Sequence, residues 1–304
     1  MGSIGIIGNG FVGNAIYQGM RWYYKVLVYD TTPERRLNTL DEVNEASCIF
    51  VCVPTPSKPT GEIDIGPMLN AISGIKEEKI VVIKSTVTPD AAEKINKVFP
   101  KHRMVYNPEF LTERTAVRDF KNPKRIILGG NPQDVEAVEA IYRKVFPNVQ
   151  YIKTDFKTAC FTKYFANCFS AAKVSMFNEF RQVADKTGVN WETALEGMLA
   201  SGWVNPMHTQ VPGPDGKYGF GGKCFPKDVK AFINFSLTNG VEPVIIKSAW
   251  EKNIEVRADK DWLRIEGAIT KDDKNERRKQ RHASVGSGPR RRDDGTAKVP
   301  DGAI

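Results

Sequence analysis

No stretch of this sequence approaches the roughly 18 consecutive apolar residues of a membrane span. The N-terminus enters an apolar strand without the basic region or cleavage site of a secretory leader. A soluble, cytoplasmic protein is therefore expected. Cysteine is sparse: Cys48, Cys52, Cys160, Cys168 and Cys224 are odd in number, at spacings that suit neither a disulfide scaffold nor a zinc site. A reducing compartment fits, and no metal is called for. Cys48 and Cys52 lie in the apolar run 48–53, where strand core is their expected place. Internal repeats are lacking as well.

The net charge of +8 is not spread along the chain. Residues 267–304 carry ten Lys or Arg against six Asp or Glu, so half of the excess sits there. The same 38 residues hold eight apolar side chains and no aromatic one. That is too little buried surface to offset chain entropy, and a disordered basic tail is expected. Contact with nucleic acid or another acidic surface is the alternative to a passive tail; nucleic acid is not an expected partner of the rest.

What is present is a chain of 304 residues, 41% hydrophobic, enough for two domains with their own cores. Ser3-Ile4-Gly5-Ile6-Ile7 reads as a strand, Gly8-Asn9-Gly10-Phe11-Val12-Gly13 as a glycine turn, and Ala15, Ile16 and Met20 as one face of a helix. Such glycines permit a tight turn, close approach of backbone to a pyrophosphate, and close packing of helix on strand; the helix N-terminus faces the phosphates. A second strand, 25–29, ends in Asp30, twenty residues past Gly10 and able to accept from a ribose 2′-hydroxyl. This is the pattern of a dinucleotide site, with Gly8, Gly10, Phe11, Val12, Gly13 and Asp30 against the cofactor. Asp30 favours NAD, because it would repel a 2′-phosphate. Arg35, placed at the cofactor, and Arg36 keep NADP open, with solvated surface charge as their plainer role.

Helices and strands then alternate: helix 40–46, strand 48–53, helix 67–75, strand 79–84, helix 89–98, strands 104–106 and 125–128, and helix 132–145. The expected fold is α/β, a Rossmann-like doubly wound parallel sheet followed by a long linking helix and a smaller all-α domain. Ligands bind such sheets beyond the carboxyl ends of the strands, which brings Pro54, Thr55, Ser85 and Thr86 to the cofactor cleft. Glu109 and Glu113 follow another strand end, and share a face if that segment is a helical turn; surface charge is the alternative. Residues 155–187 contain neither Pro nor Gly and read as one helix of up to 33 residues, about 50 Å long. It links two domains, and its outer faces can pair subunits. Lys163 and Asn167, four apart, project from one of its faces. The expected divisions are 1–153, a dinucleotide-binding domain; 154–266, a helical central and dimerisation domain; and 267–304, the tail.

The densest chemistry lies in Gly219-Phe220-Gly221-Gly222-Lys223-Cys224-Phe225-Pro226-Lys227-Asp228. With Pro226 as the first residue of a helix, Cys224 stands just before the helix N-terminus, where unpaired N–H groups favour an anion. Beside Lys223 and Lys227, its thiol is expected to have a lowered pKa and to act as a nucleophile. A buried, inert thiol is the alternative. A thiolate that adds to an aldehyde gives a thiohemiacetal, which can lose a hydride; the resulting thioester is cleaved by water to an acid.

The glycine turn, Val53-Pro54-Thr55-Pro56, Lys84-Ser85-Thr86-Val87, Asn107-Pro108-Glu109-Phe110-Leu111-Thr112-Glu113, Lys163-Tyr164-Phe165-Ala166-Asn167 and the Cys224 block stand in the order and spacing of the UDP-glucose/GDP-mannose dehydrogenase family. The chain resembles that family over about residues 3–266. The resemblance implies a four-electron oxidation of a nucleotide-sugar C6 alcohol to the uronic acid, with two NAD consumed in turn and UDP-glucose as the first substrate to try. It implies Cys224 as nucleophile, and Lys163, Asn167 and Asp228 around the water and oxyanion. Glu109 becomes the base for thioester hydrolysis, and Thr86 positions water. Thr55, Thr86, Glu113 and Lys227 join the cofactor residues. Glu109, Phe110, Leu111, Lys163, Asn167, His208, Lys217, Tyr218 and Gly221 line the sugar-nucleotide pocket, in a homodimer built on the long helix.

Two departures stand out. Members usually carry a third, nucleotide-gripping domain, where this sequence has only the tail, as in short, phage-like or truncated members. Position 208 usually holds an Arg from a neighbouring subunit, and here it is His208. A two-electron alcohol dehydrogenase with a structural Cys224, and a catalytically impaired NAD-binding protein, remain the competing readings.

Overall fold

The computed structural model describes residues 2–270. Seven strands form a single sheet: β1 (Ser3–Ile7), β2 (Lys25–Tyr29), β3 (Cys48–Val51), β4 (Ile80–Ile83), β5 (Arg103–Tyr106), β6 (Arg125–Gly130) and β7 (Gln150–Thr154). Their order is β2-β1-β3-β4-β5-β6-β7. β3 and β4 are the all-apolar runs CIFV and IVVI, as expected of strands covered on both faces. One face meets α3 (Gly66–Ser73) and α4 (Pro89–Val98), where Ile49, Val51, Val81 and Ile83 pack with Met68, Ile72, Ala92 and Ile95. The other meets α1 (Phe11–Met20), α5 (Ala116–Lys121) and α6 (Pro132–Val145), with Ile6, Phe50 and Val82 against Ile16, Met20, Phe120, Val138 and Tyr142.

The sheet departs from the all-parallel expectation at one step, since β5 and β6 pair antiparallel. Only Val105 and Tyr106 meet Gly130 and Gly129 there, because the chain leaves β5 to lay α5 on α1 before β6 begins. That packing is close: a Cβ on Gly19 would stand 2.4 Å from the Phe120 ring. β7 escaped the sequence reading, because Gln150–Thr154 is a half-exposed edge strand with a weak apolar pattern. Helix 40–46 shortens to α2 (Leu40–Val43), opened by a capping box between Thr39 and Glu42.

α7 runs unbroken from Phe156 to Thr187, with Asp155 accepting from the Thr158 N–H at its start and Gly188, at φ 73°, closing it. Its first half lies on the sheet. A Cβ on Gly129 of β6 would stand 2.4 Å from the Ala159 Cβ, so helix and strand approach as they do only because residue 129 has no side chain. Its second half carries α8 (Trp191–Ala200), α9 (Cys224–Thr238) and α10 (Val244–Val256). Trp262 packs back on Trp250, with ring centroids 5.6 Å apart.

The expected tail has a different beginning. Ala268 and Ile269 are buried, and Ser57 donates its N–H to the Ala268 carbonyl while the Thr270 N–H donates to Ser57. Two apolar residues suffice to hold this short segment on the loop after β3; the rest of the tail lies outside the described residues. Among the described residues no helix is long and apolar enough to cross a membrane.

Candidate active site

The first part of the site is the crevice where the chain passes from β1 to its two neighbours. Gly8 has φ 95°, and a Cβ there would stand 2.8 Å from the Cys52 carbonyl oxygen. At Gly13 a Cβ would fall 1.9 Å from the Gly8 carbonyl oxygen, so α1 can start this close to the strand only with glycine. Gly10, the N-cap of α1, has nothing within 4 Å of its missing Cβ. This bare backbone at a helix N-terminus is the cradle a dinucleotide pyrophosphate requires, and the residues present fit NAD. Asp30 is fixed at the end of β2 by the Asn9 N–H at 2.6 Å and the Thr32 N–H at 2.8 Å. Two bonds leave a carboxylate further acceptor sites for ribose hydroxyls. Arg35 approaches through its backbone, whose carbonyl accepts from Asn9 Nδ2. Thr55 lies buried beneath the cleft and donates to the Thr86 carbonyl at 2.8 Å. Phe11 and Glu113 together line a cavity of 310 Å³.

The second part is a buried charge cluster. From adjacent turns of α7, Lys163 donates to Glu109 Oε1 at 2.8 Å and to the Glu109 carbonyl, and Asn167 Nδ2 donates to Asp228 Oδ2 at 2.5 Å. Lys227 pairs with the other oxygen of Asp228. Burial alone would raise the Glu109 carboxyl. The charge and hydrogen bond of Lys163, the Leu111 N–H and Lys84 outweigh it and hold the group below the usual range. Burial pulls Lys163 the other way, but Glu109, then Cys224 and Asp228, raise it above an ordinary lysine. The Cys224 sulfur shares one electrostatic neighbourhood with Glu109, Lys163, Asp228 and Lys227.

Two details of the cysteine differ from the sequence reading. α9 begins at Cys224 itself, so Pro226 is the third residue of the helix. The thiol is not pre-ionised: burial first, and the Glu109 charge after it, push it up to about 11 against the pull of Lys163 and Lys227. A helix N-terminus beside lysines lowers a thiol pKa only where water or net positive charge can support the anion; here the carboxylates of Glu109 and Asp228 share the pocket.

Other expected residues have other partners. Glu109 sits on extended chain and is buried, whereas Glu113 opens an exposed turn of 3₁₀ helix, so the two share no helical face. Lys227 spends its ammonium on Asp228. Lys217 pairs with Asp259, and Tyr218 is half-exposed beside it. His208, at φ 68°, stands edge-on to Phe225 with ring centroids 5.3 Å apart, and burial followed by the Lys173 charge lowers its pKa. Gly221 lies where a Cβ would meet the Arg257 guanidinium at 2.4 Å. Phe110 stacks under Arg125, and Leu111 holds Glu109 through its N–H at 2.8 Å.

Sequence reasoning overlooked the residues that hold these groups still. Asn253 is fully buried and grips the Phe220 peptide from both sides, accepting its N–H at 2.6 Å and donating to its carbonyl at 3.0 Å. Lys84, also buried, donates to Asn107 Oδ1 at 2.7 Å. Its signal was a lysine at the end of four apolar strand residues, an expensive place for a charge with no purpose.

The NAD binding domain of the UDP-glucose/GDP-mannose dehydrogenase family matches residues 24–146, beginning after the glycine turn, and the family's central domain matches residues 157–255. A UDP-glucose 6-dehydrogenase of Rickettsia felis is 34% identical over 224 residues, 70% of this chain and 49% of the relative. This chain spans about half the length of the Rickettsia relatives it matches. Among solved structures, a UDP-glucose dehydrogenase from the archaeon Pyrobaculum islandicum is 25% identical with a TM-score of 0.77, over 84% of this chain and 68% of that one. The Mycobacterium tuberculosis 3-hydroxyisobutyrate dehydrogenase shares the fold at 15% identity and a TM-score of 0.70, over 85% of this chain and 94% of that one.

Proposed function

The chain belongs to the UDP-glucose/GDP-mannose dehydrogenase family, and from that premise we propose that it oxidises a nucleotide sugar, UDP-glucose first among candidates, at C6 to the uronate through a covalent adduct on Cys224. The observation that carries this reading is the buried cluster of Lys163 on Glu109 and Asn167 on Asp228, at the carboxyl edge of an NAD-type sheet, with Cys224 opening α9 within range of its charges. NAD supplies the acceptor for two hydrides, one at each oxidation.

Lys163 and Asn167 hold the sugar oxygen and meet the negative charge that develops on it in each tetrahedral state. The resting thiol gives its proton to a neighbouring carboxylate, Glu109 or Asp228, as sulfur bonds to C6 of the aldehyde. Loss of the second hydride leaves a thioester. The proton from the thiol leaves to solvent; Glu109 then takes a proton from water as the water oxygen bonds to C6, the C–S bond breaks, and Glu109 passes its proton to the leaving sulfur, regenerating the thiol. The balance is one alcohol, one water and two NAD giving one carboxylate, two NADH and three protons. Thr86 positions the attacking water, and Glu109, Phe110, Leu111, His208, Tyr218 and Gly221 bound the sugar-nucleotide pocket.

NADH and uronate are to be counted in one incubation with NAD and UDP-glucose, with GDP-sugars alongside. Two NADH per acid are expected. One NADH per sugar, with an aldehyde or ketone as final product, would leave the two-electron reading; binding of NAD without turnover would leave the impaired one.

The working form is a homodimer on α7. Phe165, Phe169, Phe180 and Val183 stand exposed on that helix, a row too apolar to remain in water. Sedimentation should give twice the chain mass, and Phe169→Glu with Phe180→Glu should give monomer; a parent protein that is monomeric at tens of micromolar would rule the dimer out. All five cysteines are free, which suits the cytoplasm.

A further inference from the structure

The buried charges of the site do not balance in pairs. Lys163 answers Glu109, and Lys227 answers Asp228. Lys84, 5% exposed at the end of β4, is bonded instead to the neutral side chain of Asn107. An ammonium removed from water is costly unless a negative charge compensates it: burial pulls Lys84 down to about 8, against the Cys52 and Glu109 charges that raise it, so it keeps its proton at neutral pH and loses it above. Asn107 is itself pinned three ways: it accepts from Lys84 and from the Tyr142 hydroxyl at 2.5 Å, and its Nδ2 donates to the Ile127 carbonyl at 2.7 Å. This is the point where backbone pairing between β5 and β6 runs out, two residues before Glu109.

We propose that Lys84 is a positioning residue for Glu109: through Asn107 it fixes the exit of β5, and at neutral pH its positive charge keeps Glu109 ionised when Lys163 turns to the substrate oxygen. This rests on the reading of Glu109 as the base for thioester hydrolysis. A carboxylate served by Lys163 alone would lose its counter-charge at the moment the oxyanion needs it. The groups around Glu109 are Lys163 from α7, Lys84 from β4, Cys52 beyond β3, Cys224 from α9, Tyr106 from β5 and the Leu111 N–H of its own segment, with the Asp228–Lys227 pair of α9 in the same neighbourhood. Lys163 and Lys84 are the cations that lower the Glu109 carboxyl, so removing either moves Glu109 towards protonation.

Two variants reach the charge by different routes. Lys84→Met removes the ammonium. Asn107→Asp keeps Lys84 and sets a carboxylate against it, which offsets its field at Glu109, and gives up the Nδ2 bond to the Ile127 carbonyl. In both, the acid limb of the pH–rate profile for acid release is expected to move up by about one pH unit, with NAD affinity unchanged. The same shift should appear in an infrared titration of the carboxylate band that Glu109→Gln removes, a readout that requires no turnover. If the parent makes no uronate yet the band shifts in the variants, the function fails and the role of Lys84 stands. Folded variants whose limb and band stay with the parent's, even if less stable, would overturn it.

Discussion

Cys224→Ala is expected to cut uronate formation by about 10⁴-fold or more while leaving NAD binding unchanged, because only the thiol can hold the aldehyde carbon in a form that yields a second hydride. The cradle at Gly8, Gly10 and Gly13 lies in the turn from β1 into the start of α1, and the substitution on α9 touches none of its residues. The resting thiol adds a pH signature. Its pKa is pushed up to about 11, so at neutral pH it is protonated and alkylation by iodoacetamide should be slow, rising steadily with pH towards that value. Fast alkylation already saturated at pH 7 would contradict a protonated resting thiol. Uronate production by Cys224→Ala at the parent rate would remove the thiol from the chemistry.

Lys163→Met should do two kinds of damage. Loss of the donor at the reacting oxygen is expected to slow turnover by about 10²–10³-fold. Loss of the counter-charge strands a buried carboxylate, for which about 3–5 kcal/mol of stability is the usual consequence. The sign of the pH dependence follows from the lowered Glu109 carboxyl. Its contribution to stability is present above the unfolded carboxylate range and is lost as pH falls through the lower folded value. Lys163→Met should therefore flatten that acid dependence. Adding Glu109→Gln should restore much of the stability and none of the activity, a non-additivity that urea melts and NADH rates read separately. A single variant as stable as the parent would mean that Glu109 finds another partner.

Much of this arrangement was legible in the sequence, for physical reasons that differ from residue to residue. β1, the glycine turn and α1 are local: strand, turn and helix are written within twenty residues, and Gly13 is required by an atom only five residues away. The unbroken α7 was equally local, a matter of what residues 156–187 lack. Lys163 and Asn167 could be placed on one face by spacing, but their partners Glu109 and Asp228 lie 54 and 61 residues away, and only the resemblance joined them. The state of the thiol was misjudged because neighbours in sequence, Lys223 and Lys227, were weighed without Glu109, which arrives from another strand end. Lys84, Asn107 and Asn253 act by filling hydrogen bonds across the fold, and sequence marks such residues only as polar groups in apolar company. The antiparallel step at β5–β6 was hidden for the same reason, being decided by where α5 packs.

The most direct measurement is the mass of the Cys224 peptide after acid quench during turnover of Glu109→Gln with NAD and UDP-glucose. A variant that makes the thioester and hydrolyses it slowly should accumulate an adduct of the nucleotide-sugar acyl group on that peptide and on no other cysteine. NADH formation with an unmodified Cys224 peptide would mean that the oxidation proceeds without the sulfur.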